Sequence, residues 1–284
     1  MGFASIMVHV GADAGTQGRI DIARSLATRF GAALIGIAGQ APSFLRSGDI
    51  VGESDRRTGG DIVERDPIEQ ADTTAIVSWL AALEDAFKGK AKANAGISFR
   101  TAVEQPTAFI VREARAADLV ILGRAAASDI AERAVDPASV LVRCGRPLLV
   151  VPDAVGTLLA ERVVVGWKET REARRAVRDA LALLKRAKEV TIAAVEEPDQ
   201  GAVDSGPLDD VAKYLTRHGV TVGATVVQGF TGSVGRDLAA IAGEKRADLI
   251  VAGGYGHSRL SEWVFGGVTR DLLGFSPMCC LLSH

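Results

Sequence analysis

The sequence predicts an α/β protein of two consecutive domains, each a five-stranded parallel sheet with helices on both faces. Three observations lead there. Strand-like apolar runs alternate with amphipathic helical stretches, the pattern of right-handed βαβ crossovers. A motif repeats: Ala117-Asp-Leu-Val-Ile-Leu-Gly123 and Ala247-Asp-Leu-Ile-Val-Ala-Gly253 stand 130 residues apart, and so do Pro147 and Pro277. The composition is 48% hydrophobic but only 5% aromatic, so Ala, Val, Leu, Ile and Gly must fill the interior, as in buried parallel strands under Ala-rich helices. A length of 284 residues suits two domains, placed at 1–153 and 160–284.

The first half opens on a strand at 6–10 and a helical pattern from Gly18 to Phe30. Residues 40–60 are polar and glycine-rich and read as an exposed loop. Residues 66–94 read as one long amphipathic helix, with Ile68, Ile76, Trp79, Leu80, Leu83 and Phe87 near helical spacing and Pro67 at the first helical position. Pro152 to Leu159 breaks the pattern and serves as a short linker, so the halves are expected to pack as a covalent pseudo-dimer. In the second half, strands are read at 162–167, 189–195, 220–227, 248–253 and 278–282. Helices are read at 170–186, 207–218, 234–245 and about 267–274. The apolar runs Leu148–Val151 and Cys279–Leu282 would be edge strands needing cover. They are predicted to pair or pack across the pseudo-two-fold axis.

Charge and cysteine usage exclude several function classes. A net charge of −2 argues against a general nucleic-acid or membrane-surface binder, and no apolar run approaches a membrane span. The N-terminus lacks the basic region of a signal peptide, which leads to an expectation of a cytoplasmic protein. Cys144, Cys279 and Cys280 form neither a disulfide framework nor a zinc spacing, and the adjacent pair reads as small core residues.

The most informative stretch is Ile250 to Thr269. An apolar run leads into Gly253, Gly256 and Gly266, with two residues between the first pair and nine between the second. Glycine admits a backbone N–H to an anion with no Cβ in the way, and permits the left-handed turns that form an anion nest. No Lys-Ser/Thr follows, so this is not a Walker loop.

This spacing resembles the nucleotide loop of the universal stress protein family, and the resemblance extends over nearly the whole chain as two tandem domains. It implies Rossmann-like domains of the adenine nucleotide alpha hydrolase type and a non-enzymatic stress-response protein that binds ATP or ADP, with Mg²⁺ as an optional companion. Carried over position by position, it places Gly253, Gly256, Gly266, Gly267, Val268 and Thr269 at the phosphates and Val195 beside the adenine. His257 and Arg259 lie inside the loop, where cations complement phosphate. Trp167, Lys168 and Thr170 match the exit of the first strand. Two departures stand out. Gly267 replaces the family's Ser/Thr, and Lys168 replaces the Asp that meets the nucleoside. A lysine cannot accept a hydrogen bond from a ribose hydroxyl or an adenine amine; it meets a phosphate as a point charge or stays solvated.

The first-half loop has decayed. Gly123 remains, but Ala126, Asp136 and Pro137 stand where the second half has Gly256, Gly266 and Gly267, and Asp136-Pro137 reads as a helix N-cap followed by Pro at N1. Asp13 is a candidate for the family's first-strand Asp. The first half is therefore expected to be a structural or partner-binding copy and the second half the sensor.

Nothing identifies a nucleophile. His9, His218, His257 and His284 have no metal spacing, and no Gly-x-Ser-x-Gly elbow occurs. Glu196 and Glu197 end a strand and read as the acidic start of a loop. Three readings remain: a nucleotide-binding stress protein with slow ATP hydrolysis at most, a nucleotide-free dimeric scaffold, and an ATP-dependent adenylating enzyme. The absence of a Ser-Gly-Gly-x-Asp type loop counts against the third. An unidentified protein partner and a further homodimer complete the expectations.

Overall fold

The computed structural model describes residues 2–43, 67–91, 96–124, 131–196, 205–229, 231–255 and 267–284. The first half runs β1 (Ser5–His9), α1 (Thr16–Phe30), β2 (Ala33–Gly39), α2 (Pro67–Ala91), β3 (Ile97–Ala102), α3 (Pro106–Glu113), β4 (Leu119–Gly123), α4 (Pro137–Arg143) and β5 (Leu148–Val151). The second runs β6 (Arg162–Gly166), α5 (Arg171–Leu184), β7 (Glu189–Glu196), α6 (Ser205–Arg217), β8 (Val222–Gly229), α7 (Val234–Glu244), β9 (Leu249–Gly253), α8 (Gly267–Phe275) and β10 (Cys279–Ser283).

Strand order is β3-β2-β1-β4-β5-β10-β9-β6-β7-β8, one continuous ten-stranded sheet. All pairings within each half are parallel; the single antiparallel one joins β5 to β10, with Leu149 opposite Leu281. The pairing expected of the two apolar runs is present. Every residue of both strands is buried, as strands covered on both faces must be. In each half the order reverses beside the first strand, between β1 and β4 and between β6 and β9, which opens a crevice at their carboxyl ends.

Alternation along each strand feeds two cores. Ile6, Val8 and Val10 face a cluster built with α1, α2, α5 and α6 residues, while Met7 faces one built with α3, α4, α7 and α8. The outcome is a helix–sheet–helix sandwich, and each fully buried Leu or Ile contributes about 1.5–3 kcal/mol.

The helix boundaries follow from local chemistry. Thr170 caps α5 by accepting from the Ala173 N–H, and Ser233 caps α7 by accepting from Arg236. Asp136 caps α4 by accepting from Ala138, with Pro137 at N1, as the sequence suggested. Gly31 ends α1 in the left-handed region at φ 65°, its N–H returning to the carbonyls of Ala27 and Thr28. The long helix read over 66–94 is α2. The 40–60 loop lies largely outside the described residues.

The repeated Ala-Asp-Leu motif has a structural cause. Asp118 Oδ2 accepts from the N–H groups of Ala4 and Ser5, and Asp248 Oδ2 accepts from those of Leu159 and Ala160. Each aspartate thus ties down the backbone entering the first strand of its half. Among the described residues no helix is long and apolar enough to cross a membrane.

Candidate functional site

The second-half crevice is framed by three strand exits. Gly166 pairs with Ala193 on one side and Ala252 on the other, so Trp167, Val195 and Gly253 leave β6, β7 and β9 at the same end of the sheet. The Trp167 N–H still bonds the Ala193 carbonyl at 2.7 Å, extending the strand by a residue. Its indole packs on the α5-side core, while its Nε1 donates to Glu169 Oε1 at 2.9 Å. Arg174 holds the other oxygen of Glu169 at 2.8 Å, so the strand exit is braced by a chain of three side chains. Lys168 is half-buried. Thr170 is occupied as the cap of α5, and Val195 packs half-buried on the α7/α8-side core.

Gly253 is required by packing. A Cβ there would meet the Ala173 nitrogen at 2.5 Å and the Glu172 carbonyl carbon at 2.7 Å, so its lack of a side chain lets α5 begin directly against β9. Glu172 is itself buried under this helix start. Burial would raise its carboxyl; bonds from the Arg171 guanidinium, its own backbone N–H and Thr170 outweigh that and hold it below the ordinary range.

The segment after Gly253 is built partly by the first half. A Cβ on Gly254 would stand 2.6 Å from the Leu141 side chain of α4. Tyr255 follows in the left-handed region, φ 57°, and its N–H donates to Thr269 Oγ1 at 3.1 Å. Burial, and then the Asp136 carboxylate of α4, push the Tyr255 hydroxyl up to about 12. Arg124 of the first half reaches the carbonyls of Gly274 and Ser276 at the end of α8 (3.4 and 3.5 Å). Cross-half contacts therefore hold both Gly254–Tyr255 and the far end of α8.

Of the glycine loop, Gly253 and Gly267 to Thr269 are described; Gly256, His257, Arg259 and Gly266 lie outside the described residues, as does Glu197. Gly267 opens α8, is exposed, and a Cβ there would meet nothing within 4 Å. Val268 is half-buried, and Thr269 is buried with its hydroxyl turned to Tyr255. What fits a nucleotide is the head of α8, whose N–H groups favour an anion, and the positive charge of Lys168 just beyond the end of β6. What fits less well is the nucleoside end, where Lys168 offers no acceptor.

The first-half crevice is filled. Asp13 lies four residues beyond the end of β1 and is paired with Arg19, whose guanidinium rests against Gly123. At the β2 exit, Gln40 accepts from Arg133 Nε at 2.7 Å, and Arg133 stacks over the Trp79 ring at 3.9 Å. Sequence reasoning missed Arg19, Arg133, Tyr255, Leu141 and Arg124. The signal for Tyr255 was its place beside the glycines; the others carry none without the fold.

The three cysteines are not poised as nucleophiles. Burial pushes the Cys279 and Cys280 thiols up to about 12 and raises Cys144 as well. Among the described residues no cluster of His, Cys, Asp and Glu could hold a metal ion.

Residues 160–282 match the model of the universal stress protein family. A universal stress protein from Archaeoglobus fulgidus DSM 4304 superposes with a TM-score of 0.66 at 14% identity, covering 99% of this chain and 98% of that one. A functionally unknown protein from Pseudomonas aeruginosa PAO1 gives a TM-score of 0.56 at 13% identity, covering 99% and 92%. No curated protein sequence matches. At these identities the structural likeness establishes the fold over the full length, while the family match covers the second half.

Proposed function

We propose, from the premise that residues 160–282 belong to the universal stress protein family, that this is a tandem stress-response protein binding ATP or ADP in its second domain. The domains are 1–153 and 160–284. The observation that carries the reading is the helix α8 that follows β9, the strand at the second-half switch point beside β6, with Gly267 at its head clear of every described residue. Phosphates would lie on Gly253, Gly256 and Gly266 to Thr269, with Lys168, His257 and Arg259 supplying positive charge. Trp167, Thr170 and Val195 would shape the nucleoside end. Mg²⁺ would accompany the phosphates, and hydrolysis is slow at most. Output passes through conformation or a protein partner rather than through product.

The test is mass spectrometry of small molecules released on denaturing freshly purified protein, followed by an ATP titration. Stoichiometric ATP or ADP supports the reading. Gly256→Val should abolish binding with little change in folding; retention would mean the loop is wrongly assigned. Lys168→Asp should tighten ATP binding by restoring an acceptor at the nucleoside.

A second reading, a nucleotide-free scaffold, is favoured by one set of observations: Lys168 in place of an acceptor, the Thr269 hydroxyl bonded to Tyr255, and Leu141 packed onto Gly254. It predicts an empty protein with no thermal response to ATP and Mg²⁺. Turnover with pyrophosphate release would instead point to an adenylating enzyme.

A further inference from the structure

The first half contains an ion pair that the proposed function leaves unused. Arg19, in the first turn of α1, is 1% exposed and heads the fully buried large side chains. Its Nη1 and Nη2 donate to Oδ1 and Oδ2 of Asp13, each at 2.7 Å, in the parallel two-bond geometry that guanidinium forms with an oxyanion. Its Nε turns to the His9 carbonyl at 3.4 Å. The same carboxylate accepts from the Gly15 N–H at 3.1 Å and the Thr16 hydroxyl at 3.0 Å. Asp13 thus receives a guanidinium, a hydroxyl and a backbone amide at the head of a fifteen-residue helix. An external phosphate would need the same donors.

The location matters as much as the donors. A Cβ on Gly123 would stand 2.6 Å from Nη1, so the guanidinium lies on the exit of β4 beside the exit of β1, at the first-half switch point. External ligands of such sheets bind there. Asp13 sits in a short turn with Gly11 and Gly15 on either side, and its side chain is 33% exposed while that of Arg19 is 1%. The pair is therefore open to solvent from the aspartate side. A buried guanidinium needs a counter-charge, and a tethered carboxylate meets it at an effective concentration beyond that of a free anion.

We infer that Asp13 is a tethered internal ligand: it closes the first-half crevice by occupying an oxyanion site formed by Arg19, Thr16 and the Gly15 N–H, and an anion of the phosphate class takes its place once the carboxylate is removed. The first half is the permanently occupied copy of the fold. The inference stands whether or not the second half binds nucleotide.

The test compares thermal unfolding of the full chain in rising inorganic phosphate and in sodium chloride of matched ionic strength. Asp153 must be neutralised too, since its Oδ1 lies 2.6 Å from a Gly15 Cβ position and would replace Asp13. Asp13→Ala/Asp153→Asn should gain a saturable rise in Tm with phosphate that the wild type lacks. Adding Arg19→Met should abolish that gain. A response equal to the wild type's, or one that survives Arg19→Met, overturns the inference. Should the alanine variant fold poorly, Asp13→Asn/Asp153→Asn removes the charge at nearly constant volume and is read by the same criteria.

Discussion

The two switch points share one backbone plan and have opposite fillings. Over Gly123 lies a guanidinium paired with a carboxylate; against Gly253 lies the bare backbone of α5 at Glu172 and Ala173. The first half fills its crevice with side chains, Arg19 and Asp13 at β1 and Gln40 with Arg133 at β2. In the second, no described residue comes within 4 Å of a Cβ placed on Gly267 at the head of α8. The scaffold is common to the two halves, and the residues at its strand exits differ.

The largest expected effect comes from breaking the first-half filling. Asp13→Ala/Asp153→Asn leaves Arg19 buried without a counter-charge and should cost about 3–5 kcal/mol in denaturant unfolding. Lys168→Ala, its counterpart at the second-half exit, removes a half-buried rather than a fully buried cation and should cost less. Equal costs would mean the halves are not differently filled.

Alanine at the two glycines sharpens the contrast. At Gly253 the new Cβ meets backbone that cannot yield, so Gly253→Ala should cost about 2 kcal/mol or more. At Gly123 it meets the end of a side chain, and the cost should be smaller. The reverse order in urea midpoints would contradict this account of the packing.

Acid should also act on the first half. His9 is buried, and desolvation, then the Arg19 charge, lower its pKa from 6.5 to about 3. The unfolded state therefore binds the proton first, and stability present above pH 6.5 is lost as pH falls toward 3. Asp13 adds a loss at lower pH: burial would raise it, but Arg19 and Thr16 hold it at about 2. His9→Gln should flatten the stability–pH curve between pH 6.5 and 4. An unchanged slope would remove His9 from the account.

The smallest effect tests what the halves share. Asp118→Asn and Asp248→Asn each weaken two charge-assisted bonds to strand-entry amides, and each should cost about 1–2 kcal/mol. Unequal costs would show that divergence reached the scaffold as well.

Much of the fold was legible because periodicity and punctuation are local. The nine second-half elements follow their apolar spacing, Asp136-Pro137 is the cap its chemistry suggested, and the apolar runs at 148–151 and 279–282 had to find cover in one another. The candidate site was legible only as a list of glycines and strand exits. Arg19 reads as one more helical arginine until the fold turns it onto Gly123. Asp118 and Asp248 were visible as a repeat, but their bonds run to residues more than 80 positions away. Leu141 and Arg124 shape the second half from the first, a relation no local pattern carries.

The central claim is that one copy is closed and the other open. It is tested most directly by photolabelling the full chain with an azido-adenine nucleotide and mapping the labelled peptides. The account predicts labelling confined to peptides from residue 160 onward, with none near Asp13 or Arg124. Label on first-half peptides at a comparable level would contradict it.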